Sequence, residues 1–110
     1  HRADRFLQRL WEWVQATPEY AGRTSLIVSA DHGRGSGEKD WTDHGEEVPA
    51  ADRIWLAVMG PETPALGIRA GLPATQAQFA ATLAALVGED FVGSSPRVAP
   101  AVAGTVRGER

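Results

Sequence analysis

The chain has 110 residues, enough to bury one core but at the small end for an α/β domain. Its 14 acidic and 11 basic side chains leave a formal net charge of −3, and the basic residues are scattered without a run or stripe, which argues against a nucleic-acid surface. The absence of cysteine excludes a disulfide framework, a thiolate metal site and a thiol nucleophile. These residues contain no signal-peptide pattern and no apolar stretch long enough to span a bilayer.

Phe6, Leu7, Leu10, Trp11 and Val14 recur at helical spacing and predict a helix from Ala3 to Ala16 with these residues on its buried face. Pro18 stops it, and Ala21-Gly22-Arg23 reads as the turn into a strand, Thr24 to Ala30. The centre of that strand, Leu26-Ile27-Val28, is continuously apolar, as expected where both faces are covered. The run Ile54 to Met59 reads the same way and ends at Gly60-Pro61. Thr75 and Gln78 form a capping-box signature before a second helix. Phe79, Leu83, Leu86 and Val87 are its expected buried face, and Gly88 its stop. From Gly93 to Arg110 the chain is rich in Gly, Ser, Pro and Ala, consistent with a short extended piece or a mobile end. Helix, strand, strand, helix indicates a layered α/β architecture. Two strands do not complete such a sheet, and the chain opens abruptly on His1, so a piece of a larger domain is expected.

The chemistry lies between the strands. Asp-His-Gly occurs twice, at Asp31-His32-Gly33 and Asp43-His44-Gly45. Imidazole and carboxylate at a strand end and its following loop suit a divalent metal. The connection from Asp31 to Asp52 exceeds the ~12–15 residues beyond which structureless loops are uncommon and usually functional. Neighbouring strand residues point to opposite faces, so Asp31 and His32 share one ion only if the chain turns, which Gly33 permits. The plainer alternative is that Asp and Gly simply form turns and the histidines are hydrogen-bonding partners. Arg34 and Lys39 are candidate contacts for an anionic substrate, against the commoner fate of solvated loop charges. Trp11, Trp13 and Trp55 are expected in the core, while Trp41, inside the polar loop, is the one suited to line a cleft. Nothing activates Ser25, Ser29 or Thr42 as a nucleophile, and His1 is left out of the candidate set.

Thr24 to Gly33 resembles the signature strand and metal-binding turn of the alkaline phosphatase-like superfamily, which includes phosphatases, phosphodiesterases, sulfatases and cofactor-independent phosphoglycerate mutases. Trp55 to Pro61 and Thr75 to Leu83 resemble the strand and helix that follow, so the likeness covers most of the chain. The resemblance implies that residues 1–110 are the C-terminal part of one α/β/α catalytic domain, whose N-terminal part carries the nucleophile, and that these residues alone are inactive. It implies two divalent ions, zinc first with manganese, magnesium or calcium as alternatives, held here by Asp31, His32 and His44. Asp43 is then either an outer partner of His44 or, as favoured, the turn former before it. The implied activity is hydrolysis of a small-molecule phosphate ester, monoester or diester. Sulfatases typically lack the late histidine, so His44 disfavours a sulfate ester; Arg34 and Gly45 stand where the mutases commonly show Asn and Thr. A segment that binds metal or serves structure without catalysis is the remaining alternative. The other implied partner is the remainder of the catalytic domain, and members of this group are often exported or periplasmic.

Overall fold

The computed structural model describes residues 1–108, and the chain divides into two compact units: residues 26–58, and residues 1–25 together with the chain from Met59 onward. The result is a mixed α/β chain with two four-residue strands and a predominance of helix and loop.

In the second of these units, helix α1 spans Arg2–Ala16. Its apolar spacing works as expected for Leu7, Leu10 and Trp11, which are half-buried, and for Val14, which is buried. Phe6 departs from the prediction, lying on the solvent side at 63% exposure. After α1 the Thr17 hydroxyl donates to the Trp13 carbonyl at 2.8 Å, and Tyr20 and Ala21 donate back to Thr17. Pro18 therefore ends the helix in a run of closed turns.

The 3-10 turn Gln76–Gln78 leads into α2, Phe79–Leu86, through the capping box seen in the sequence: Thr75 N–H donates to Gln78 Oε1 at 2.9 Å. Beyond α2, Gly88 N–H donates to the Ala85 carbonyl and Glu89 N–H to the Ala84 carbonyl, with Gly88 at φ 81°. This is the Schellman closure that a glycine allows without the Cβ clash of a left-handed residue.

The buried face of α2 differs from the one expected. Leu86 is buried and Phe79 half-buried as expected, but Leu83 is exposed and Val87 is 76% exposed, while Ala81 and Thr82 are buried instead. The cause is the tail. Thr82 Oγ1 donates to the Gln78 carbonyl at 2.8 Å and accepts the Val102 N–H at 2.9 Å. Gln78 Nε2 donates to the Pro100 carbonyl at 3.1 Å. Residues 100–105 thus lie on the Gln78–Thr82–Leu86 side of α2, and Val102 and Thr105 are buried with it. Farther along, Arg107 Nε donates to the Pro61 carbonyl at 2.9 Å and its N–H to the Glu62 carbonyl at 2.7 Å. The stretch read from sequence as extended or mobile is bound on α2 and on the 61–63 turn, apart from its last two residues, which lie outside the described residues. A further helical turn, α3 at Phe91–Ser94, is closed by Asp90 Oδ1 accepting Gly93 N–H at 2.7 Å.

In the other unit, β1 (Leu26–Ser29) pairs with β2 (Leu56–Met59, its last residue falling just outside the unit). Ser29 Oγ donates to the Trp55 carbonyl at 2.7 Å and Gly33 N–H to the Ala51 carbonyl at 2.7 Å. The partner's number falls as the strand's rises, so the pair is antiparallel. The strands are shorter than the runs Thr24–Ala30 and Ile54–Met59. Both were expected to be covered on both faces; instead β1 is half-buried throughout and β2 alternates half-buried with exposed. Trp55, expected in the core, is 57% exposed, and Trp13 is exposed as well.

Candidate metal centre in the loop between the strands

The 30–55 connection is folded by close backbone approaches at glycine. A Cβ on Gly33 would collide with the carbonyls of Ala50 and Arg53, so glycine is required for the Gly33 N–H to reach Ala51. Gly35 N–H donates to the Asp43 carbonyl at 3.0 Å, and the Asp40 side chain fills the space where a Gly35 Cβ would stand. Asp40 Oδ1 also accepts Gly37 N–H at 2.7 Å, and the Asp40 carbonyl accepts Asp43 N–H at 2.8 Å. The polar, glycine-spaced stretch is therefore an ordered set of turns organised by Asp40, a residue that sequence reasoning passed over. The Gly-x-Gly-x-Gly spacing with an Asp three residues on was the available signal.

These turns bring the two histidines together. The rings of His32 and His44 stack with centroids 4.0 Å apart and planes 18° from parallel. His32 Nδ1 lies 2.7 Å from the Gly33 carbonyl oxygen, which can only accept, so the ring proton belongs on Nδ1. In the neutral ring Nε2 then carries a lone pair, and it faces Asp31 Oδ2 at 3.6 Å. Asp31 Oδ1 accepts the His32 N–H at 3.0 Å, so carboxylate and imidazole are both oriented by local bonds. Two donors about 2.1 Å from one tetrahedral ion lie about 3.4 Å apart, close to the spacing found. Asp31 and His32 are the two side chains here that could hold a divalent ion together, with the Gly33 carbonyl then in the outer-partner role on the other ring nitrogen. Among the described residues no group of three or more His, Asp or Glu side chains forms a complete metal shell.

Asp43 takes part in the loop through its backbone, its N–H donating to the Asp40 carbonyl and its carbonyl accepting Gly35 N–H. The guanidinium of Arg34 lies over the Trp41 ring at 5.8 Å from its centroid, a cation–π pair. Those two candidates are brought to each other. Lys39 is exposed, and its ammonium forms no hydrogen bond or ion pair among the described residues. Beside His44, an open cavity of about 400 Å³ is lined by residues 44–52, including Glu46 and Glu47. Ala50, in its wall, holds φ 69° without being glycine.

No family model, curated protein or solved structure matches the chain.

Proposed function

We propose that this chain supplies part of the two-metal centre of a phosphate-ester hydrolase of the alkaline phosphatase-like kind, Asp31 and His32 serving one divalent ion and His44 the other. The observation that carries this reading is the histidine pair, parallel and 4.0 Å apart between centroids. Two-metal hydrolases hold their ions about 3.5–4 Å apart, and rings at that spacing are suited to address one ion each. The tautomer set at His32 and the Asp31 oxygen facing its Nε2 add to the support. Zinc is the first expectation for this donor set, imidazole nitrogen and carboxylate oxygen being its common ligands.

Bound there, the ions would supply Lewis-acid polarisation of the ester and neutralise charge developing during in-line displacement. The chain's own residues orient and bind. The Gly33 carbonyl holds the His32 ring, Asp31 gives a carboxylate on the same side, and Arg34, steadied on Trp41, presents a cation to an anionic ester. The cavity beside His44 offers room for the ester's organic part. In this reading the nucleophile comes from elsewhere in an α/β/α layered domain to which the two strands belong. The exposed Trp55 and Met59 and the half-buried β1 support that, since they leave apolar surface for further layers to cover. The 110 residues alone would hydrolyse nothing.

The test is metal content and ester hydrolysis in the full-length protein, before and after His44→Ala. The expected result is a fall from two bound zinc ions to one with loss of phosphatase or phosphodiesterase turnover. Unchanged metal content and turnover would sink the two-metal reading. Metal loss without any turnover in the parent protein would favour the non-catalytic alternative.

A further inference from the structure

The expectation of neither basic run nor stripe holds for the run alone, because on α1 helical periodicity makes a basic stripe. Arg2, Arg5 and Arg9 stand at i, i+3 and i+7, one side of the helix, and with Phe6 they line a single concavity of about 260 Å³. Like charges at these spacings repel. Among the described residues none of the three guanidiniums forms an ion pair or a hydrogen bond. The acids of the same helix do not serve them: Glu12 accepts from Gln8 Nε2 at 2.9 Å, and Asp4 lies off the stripe. Phe6 is 63% exposed among the arginines, and Trp13, seven residues along the same side, is 57% exposed. The half-buried face of Leu7, Leu10, Trp11 and Val14 is separate, so these aromatics are not the helix's core side.

From this we infer that the exposed side of α1 docks on an anionic lipid surface. Three unpaired guanidiniums in a chain of net charge −3 call for a concentrated array of negative charge, and lipid phosphates supply it. Phe6 and Trp13 give the second half of the argument. Aromatic side chains beside cations suit the boundary between headgroups and acyl chains, whereas a purely polar anion makes no use of them. The helix lies on the surface; none in the described residues is long and apolar enough to cross a membrane.

The experiment is co-sedimentation of the whole chain with vesicles of phosphatidylcholine alone or mixed with phosphatidylglycerol. Binding is expected on the mixed vesicles alone, weakening as salt rises. Each of Arg2→Gln, Arg5→Gln and Arg9→Gln should lower it about fivefold, since each basic residue near such a surface contributes on the order of 1 kcal/mol. Phe6→Ser should lower it further, and Arg97→Gln, a basic residue off α1, should leave it unchanged. Far-UV circular dichroism matched to the parent shows that each variant has kept its helices. The inference is overturned if neutral vesicles bind equally, or if the arginine variants bind as the parent does. It is equally overturned if duplex DNA competes fully while Phe6→Ser has no effect, which would mark a general polyanion surface instead.

Discussion

The two units reach order by different routes. In the unit containing α1 and α2, the fixed points are side chains that collect backbone groups from distant residues: Thr82, fully buried, joins Gln78 to Val102, and Arg107 gathers the carbonyls of the 61–63 turn. In residues 26–58, little is buried beyond Ala51 and Gly35, and order comes from glycines that let one backbone segment touch another. A region held by backbone contacts places ligands accurately yet resists opening only weakly. The candidate metal centre lies in that kind of region, so ions bound there would stabilise the loop as much as the loop holds the ions.

The difference can be broken at its strongest point with Gly33→Ala. The added methyl would meet the carbonyls of Ala50 and Arg53, and relieving that overlap is expected to cost about 3 kcal/mol. The loop should open and zinc affinity collapse, while hydrogen exchange at α2 amides stays close to the parent's. Equal loss of protection in α2 would show that the two units do not unfold separately.

Thr82→Val is the converse. It keeps the volume but leaves the buried Val102 N–H without its acceptor, for a destabilisation of about 2 kcal/mol by urea unfolding. Exchange at Val102 should rise most, and zinc binding should not move. A fall in zinc affinity would contradict the assignment of Thr82 to the helical unit alone. The smallest effect is expected at Ala50→Gly. Removing the Cβ from a residue at φ 69° relieves about 1 kcal/mol of strain, and glycine's greater unfolded-chain freedom takes back part of it. A modest rise in the loop's protection should follow, and a fall would mean that Ala50 packs usefully where it is.

What could be read in the sequence was what is decided locally. The extent of α1, the Thr75–Gln78 box, the Gly88 stop and the turn at Gly33 each follow from a few adjacent residues, and all are present. That His32 and His44 belong to one site was what the family resemblance implied, and the structure stacks their rings 4.0 Å apart between centroids. The tail was not legible. Its acceptors are the carbonyls of Pro100, Ala101 and Pro61, groups that every residue carries, and no sequence pattern advertises which will be used. The same contact buries Thr82 beside Ala81 and Leu86, while Leu83 and Val87 stay exposed. The strand runs promised full burial because continuous apolar sequence reads alike whether or not further strands lie beside it.

Gly33 has one further consequence. Its N–H closes the loop on Ala51, and its carbonyl accepts a hydrogen bond from the His32 ring at Nδ1, so a single residue links closure of the loop to the tautomer of a candidate ligand. Loop closure and ligand basicity are then one equilibrium observed from two ends. The nitrogen-15 resonance of His32 Nδ1 would register each opening of the loop, which makes that imidazole a built-in indicator of whether the site is assembled.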